Sequence, residues 1–129
     1  MNKNDIIQLH ITSLTSDGDG VARTGEGIVV FAPNTAVGDV IDALILKVKK
    51  NVAFAKVNAI IAPSPDRIDP DCPVSARCGG CVYRHISYDA ELRAKRQKVY
   101  DAVTRIGGLN GDLVKDIIPS ENIDTYRNK

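Results

Sequence analysis

The chain has 129 residues and a mass of 13.9 kDa, of which 43% are hydrophobic and 26% charged. That leaves room for one compact domain with an appendage and enough apolar material for a core, which excludes a large two-domain enzyme and a compositionally disordered chain. Seventeen Lys and Arg against sixteen Asp and Glu give a net charge of +1, which argues neither for nor against a nucleic-acid partner. No apolar run of membrane-spanning length occurs, and Met1-Asn2-Lys3-Asn4-Asp5 lacks the form of a signal peptide. A soluble cytoplasmic protein with no membrane association is expected.

Residues 6–14 open with β-branched and apolar side chains and then meet the turn signal Ser16-Asp17-Gly18-Asp19-Gly20. Four more extended stretches follow, at 20–24, 27–32, 39–49 and 51–61, separated by Gly25-Glu26-Gly27, Ala36-Val37-Gly38 and Lys50-Asn51. Five short strands in so small a space predict a closed or nearly closed β-barrel over 1–62, because closure removes exposed strand edges. Within it, 40–48 is almost continuously apolar, so alternation does not say which side chains point inward.

Residues 63–86 hold four of the six prolines, show no period, and need an outside constraint to be ordered. From Ser87, a candidate N-cap with Asp89 and Glu91 in the first turn, the spacing predicts one long helix ending at Gly107-Gly108. Tyr88, Leu92, Val99, Val103 and Ile106 form its apolar stripe. Residues 112–118 read as a possible strand, and Tyr126-Arg127-Asn128-Lys129 carries no terminating turn or cap, as expected of a boundary inside a longer protein. The fold class is therefore mainly β: a small five-stranded barrel, a Cys-rich loop over 63–86, and a helical part over 87–129.

The sharpest chemical signal is Cys72-x5-Cys78-x2-Cys81. Two thiolates of a Cys-x2-Cys turn reach the same ion, and Gly79-Gly80 removes crowding where the backbone wraps it. An odd set of clustered thiols in a chain without a secretory signal favours metal over a disulfide framework. A cubane iron–sulfur cluster takes four cysteines, so a fourth would come from outside this chain. A zinc site is completed locally by His85 as Cys3His. Both remain open on spacing alone, and no cysteine is left over as a nucleophile.

Lys47, Lys49, Lys50 and Lys56 surround Phe54 in one hairpin. Basic residues interleaved with an aromatic make an RNA surface, in which cations track phosphate while the ring stacks a base; the plainer alternative tucks Phe54 into the core. Arg93, Lys95, Arg96 and Lys98 make 87–107 mildly basic, but such a run is usually the wet face of a helix. Asp17-x-Asp19 reads as a turn, Gly108-Leu109-Asn110-Gly111 as a helix stop, and His10 as an ordinary strand residue.

Gly18-Asp19-Gly20-Val21-Ala22-Arg23, Gly27-Ile28-Val29-Val30-Phe31-Ala32-Pro33, Val37-Gly38-Asp39 and Lys49-Lys50 together resemble a TRAM domain, a small OB-like RNA-binding barrel. Pro63-Ser64-Pro65-x-Arg67, Cys72-Pro73, Cys78-Gly79-Gly80-Cys81 and His85 through Tyr88 resemble the cysteine segment of bacterial RNA uridine C5-methyltransferases. The combination resembles the enzymes that methylate 23S ribosomal RNA. The resemblance implies a [4Fe-4S] cluster on Cys72, Cys78 and Cys81 with a fourth cysteine elsewhere, and an S-adenosylmethionine-dependent catalytic domain beyond residue 129. On that reading the chain is a non-catalytic N-terminal portion and a monomer, with Arg23, Lys47, Lys49, Lys50, Phe54 and Lys56 as RNA-binding residues. The alternative is a stand-alone TRAM-type RNA-binding or chaperone protein with a Cys3His zinc site.

Overall fold

The computed structural model describes residues 1–69, 72–74, 78 and 82–123. The chain divides into two compact units, Met1–Ser87 and Tyr88–Lys129. The first carries six strands: β1 (Ile6–His10), β2 (Ser13–Leu14), β3 (Gly20–Arg23), β4 (Val29–Ala32), β5 (Val40–Val48) and β6 (Val52–Ala62). They lie in the order β1-β5-β6-β4-β3-β2, antiparallel throughout except for the β4–β6 pair.

The five expected strands become six because the first one changes partners. Ile11 still pairs on the β5 side, donating to the Asp39 carbonyl at 2.9 Å and accepting from the Gly38 N–H at 2.8 Å. One residue later the Thr12 N–H donates to the Val21 carbonyl on the β3 side at 2.9 Å. The two ends of the sheet are thus consecutive in the chain, and a bend at Ile11–Thr12 curls the sheet round on itself. This is the OB-like barrel that the strand count implied, with its first strand split at the bend.

Alternation resolves the apolar run at 40–48. Ile41, Ala43 and Ile45 point inward and are fully buried, joined by Leu9, Ile11, Ala22, Val30, Ala32, Ala53 and Ala55. Many of these are alanines because the interior of so small a barrel holds few large side chains. Ile11, Ile41 and Ile45 are the largest, and burying each stabilises the fold by about 1.5–3 kcal/mol. A register irregularity between Ile45 and Lys47 ends the inward series, and Leu46 to Lys50 are exposed. Gly20 marks the tightest point, since a Cβ there would overlap the Thr35 hydroxyl and sit 3.0 Å from Ile11 Cγ2.

In the second unit, α1 (Tyr88–Asp101) runs into a π-helical turn, Ala102–Ile106, closed by the Gly107 N–H on the Ala102 carbonyl at 2.9 Å. The helical stretch ends where the glycines predicted, but its apolar stripe does not form one buried face. Val99, within α1, is 52% exposed, and Ile106, which the wider π turn rotates out of line, is 87% exposed. The possible strand at 112–118 is also corrected: Gly111–Leu113 is a 3-10 turn, and 114–120 pairs with no strand. It returns along α1 instead, the Val114 carbonyl accepting from Arg96 at 3.3 Å and the Ser120 N–H donating to the Tyr88 hydroxyl at 2.8 Å.

Substituting Gly20→Ala should lower stability by about 1–3 kcal/mol, read from the urea midpoint. Gly25→Ala, where a Cβ meets nothing within 4 Å, should leave it unchanged. An unaffected Gly20→Ala protein would contradict the closure described.

Candidate nucleic-acid interface

Inward and outward residues alternate along each strand, so the register names the outer neighbours. Val21 pairs with Phe31, Phe31 with Phe54, and Phe54 with Lys47, which makes one row across β3, β4, β6 and β5. The adjacent row holds Arg23, Val29 and Val52, with the Lys49 N–H donating to the Val52 carbonyl at 2.7 Å. Lys56, opposite Leu44, lies two residues along β6 from Phe54. Arg23, Lys47, Lys49, Phe54 and Lys56 therefore share one outer face, and Lys50 stands in the turn at its edge; all six are exposed.

Phe54 is not in the core. The residue is 38% exposed, and its ring stacks on Phe31 with centroids 5.8 Å apart and planes at 30° and has the Lys49 ammonium 5.7 Å from its centroid. Such a cation–π contact at an exposed site is worth about 0.5–1 kcal/mol. Sequence reasoning did not place Phe31 on this face; the signal was the parallel pairing of β4 with β6, which no local pattern contains. Of the basic helical run, Lys95 pairs with Glu91 at 3.3 Å and Arg96 donates to the returning segment, so these two serve the second unit itself.

The opposite end of β5, roughly 25 Å away along the strand, anchors the cysteine segment. Asp39 is fully buried there and accepts from the Ala36 N–H at 2.8 Å, the Ser64 N–H at 2.7 Å and the Arg67 guanidinium at 2.6 and 3.4 Å. Arg67 also donates to the Asn34 carbonyl at 2.8 Å, and the Ser64 hydroxyl to that of Val37 at 2.6 Å. On the far side of the cysteines, His85 is buried and its Nε2 donates to the Thr35 carbonyl at 2.6 Å. The flanks also join each other: the Ile68 N–H donates to the His85 carbonyl at 3.0 Å, and the Ser87 N–H to that of Asp66 at 2.8 Å. Gly18, at φ +85°, admits this docking, since a side chain there would collide with Val82.

Between these flanks Cys72 is half-buried and Cys78 exposed; Cys81 lies outside the described residues. Among the described residues no group of three His, Cys, Asp or Glu side chains is placed to hold a metal ion. With Nε2 committed to Thr35, only Nδ1 of His85 is left for any ligand.

Burial pushes Asp39 up, but the Arg67 guanidinium and the Ser64 and Ala36 N–H groups outweigh it and hold the carboxyl below its ordinary 3.8. Burial pushes His85 below its ordinary 6.5; the Thr35 carbonyl opposes that shift, the Arg67 charge adds to it, and Asp39 opposes it.

A TRAM domain model matches residues 2–57. Over all 129 residues the chain is 42% identical to an uncharacterized RNA methyltransferase of Halalkalibacterium halodurans and 43% identical to one of Listeria monocytogenes, covering 28% of each. A Nostoc relative, also an uncharacterized RNA methyltransferase, is 41% identical over 128 residues, which are 99% of this chain and 28% of that protein. The chain carries a TRAM domain and is similar along its whole length to part of these RNA methyltransferases. Among solved structures, it is similar to the tRNA (uracil-54, C5)-methyltransferase of Pyrococcus abyssi in complex with S-adenosyl-L-homocysteine. That match has a TM-score of 0.53 and 26% identity, over 90% of this chain and 24% of that one. The chain thus spans about 28% of the length of the curated relatives it matches, and the TRAM match coincides with the barrel that carries the basic and aromatic face. No helix among the described residues is long and apolar enough to cross a membrane.

The two anchoring groups set a pH dependence. His85, neutral when folded, contributes stability that is present above pH 6.5 and lost as pH falls through its lower folded value. Asp39 contributes stability present above pH 3.8 and lost as pH falls below it. Urea midpoints should therefore decline from about pH 6.5 downward. His85→Gln should remove that first decline and keep the deeper acid loss; a variant curve parallel to wild type would contradict the assignment.

Proposed function

We propose that this chain is the RNA-holding and cysteine-bearing portion of a cytoplasmic enzyme that methylates uridine at C5 in 23S ribosomal RNA, with S-adenosylmethionine as methyl donor. The single observation that carries the reading is the shared outer face of the TRAM barrel, where Arg23, Lys47, Lys49, Lys50 and Lys56 surround the exposed Phe54 ring. Five cations spread over one small sheet face suit a phosphate backbone, and a nucleobase stacked on an aromatic ring contributes about 1–3 kcal/mol. The relatives' names support RNA methylation, and the S-adenosyl-L-homocysteine in the Pyrococcus structure supports the donor.

Methyl transfer is assigned to the parts of the enzyme that this chain does not span. The residues here bind and orient. Cys72, Cys78 and Cys81 would hold a [4Fe-4S] cluster with a fourth cysteine from elsewhere in the protein. The donor set suits it: thiolates are iron–sulfur ligands, and neither Cys72 nor Cys78 is sequestered in the barrel core. When bound, the cluster would supply a structural cross-link for the cysteine segment. Asp39, Arg67 and His85 hold the base of that loop against the barrel. A transfer-RNA target is the second reading, favoured by the substrate in the Pyrococcus protein's name. Methylation assays of the full-length enzyme on separated ribosomal and transfer RNA distinguish the two.

Changing Lys47, Lys49 and Lys50 together to Glu should weaken RNA binding and flatten its salt dependence, by a slope change of about 2 for three lost phosphate contacts on single-stranded RNA. Unchanged affinity and slope in a salt titration would remove this face from the account.

A further inference from the structure

We propose that the Asp39 end of the barrel carries a docking patch, formed by Val37, Ile60, Ile61 and Ile68, for an apolar surface in the part of the parent enzyme that this chain does not span. The proposal rests on the functional reading above only in taking the chain as part of a longer protein. It concerns the end of the barrel that RNA binding leaves unused.

The patch follows from how β6 runs. β5 pairs with β6 from Ala53 to Ala62, whereas β4 pairs only with Val52, Ala53 and Phe54. Beyond Phe54 one edge of β6 therefore has no strand partner among the described residues, and Asn58 to Ala62 are exposed in succession, so both faces meet water. An edge suited to adding a strand is long and flat. This one carries two register irregularities, opposite Val40/Ile41 and Asp42/Ala43, so it presents side chains and no regular hydrogen-bonding ladder. Ile60 and Ile61 stand on it. Val37 and Ile68 belong to segments tied to the same end: the Val37 carbonyl accepts from the Ser64 hydroxyl at 2.6 Å, and the Ser64 carbonyl from the Arg67 N–H at 3.1 Å. All four residues are between 41% and 53% exposed.

Three features select the occupant. No charged residue lies in 27–38 or 57–65, which supply Val37, Ile60 and Ile61, and the Arg67 guanidinium is committed to Asp39 and Asn34. This end suits an apolar partner, with no charge stranded on docking, and offers no free cation to phosphate. The buried Asp39 fixes the backbone beneath the patch through Ala36, Ser64 and Arg67, so docking costs little ordering entropy. Four aliphatic side chains fall short of the roughly 1,000 Å² that a stable interface between free partners buries. A tethered partner, held at an effective concentration in the millimolar range, needs less. The chain spans 28% of the length of its relatives, so most of such a polypeptide remains to supply that partner.

Carbene footprinting with a photoactivated diazirine, read by mass spectrometry, compares the full-length enzyme with the 129-residue chain. In the full-length enzyme, labelling of Val37, Ile60, Ile61 and Ile68 should fall about fivefold, as a tethered contact formed about 80% of the time requires. Ile6, 56% exposed on β1, should keep its labelling. Ile61→Asp should restore labelling of the other three in the full-length enzyme and leave the urea midpoint of the 129-residue chain unchanged. Ile61→Ser, a milder change, should restore part of it and serves if the aspartate variant does not fold. Equal labelling of the four residues in both proteins overturns the proposal, and so does an equal fall at Ile6. Labelling of the 129-residue chain that falls as its concentration rises overturns it in favour of a second copy. RNA methylation by the same preparation is read separately: methylation without protection overturns the docking alone, and protection without methylation overturns the functional reading alone.

Discussion

A carboxylate with no solvent exposure, Asp39 at the mouth of β5, is the constraint on which the arrangement of the first unit depends. A buried charge costs several kcal/mol unless its oxygens are filled, and removing the partner of a buried pair costs about 3–5 kcal/mol. Asp39 fills its oxygens with two backbone N–H groups and the Arg67 guanidinium. Two of these three partners, Ser64 and Arg67, belong to the segment that follows the barrel. The demand of one buried charge therefore fixes where the chain goes after β6.

That anchoring separates two tasks along β5. At one end, Asp39, Thr35 and Val37 hold both flanks of the cysteine segment, through Ser64 and Arg67 before it and His85 after it. At the other, the Ile45–Lys47 irregularity releases the hairpin from the core and turns Lys47, Lys49 and Lys50 into water beside Phe54. The hydrogen bonds between the flanks close the base of the loop on protein contacts alone, so the entropy of bringing 66–68 and 85–87 together is met by the barrel.

Much of this was legible in the sequence, for reasons that differ by element. The strands were visible because β-branched runs and Gly-Asp turns are local signals, and the helix stop because Gly107-Gly108 is one too. The split first strand was not, since Ile11 and Thr12 take partners 28 and 9 residues away. The hairpin cations and Phe54 could be listed as a group from their spacing, whereas Phe31 joins them only through a parallel pairing of β4 with β6. His85 carried a metal-ligand spacing, yet its Nε2 binds the Thr35 carbonyl fifty residues upstream. The π turn after α1 likewise shifted a helical stripe that ideal periodicity had placed on one face. Long-range pairing, not composition, decided each of these cases except the π turn, which is a local departure from the ideal helical period.

The central claim is that RNA lies on the β3-β4-β6-β5 face and leaves the Asp39 end of the barrel to the cysteine segment. Amide chemical-shift mapping of the 129-residue protein during titration with single-stranded RNA tests it most directly. The account predicts perturbations at Arg23, Val29, Phe31, Lys47, Lys49, Val52 and Phe54, with Ala36, Asp39, Ser64 and Arg67 unmoved. Perturbations concentrated around Asp39 and Ser64, with the Phe31 and Phe54 amides unmoved, would contradict it.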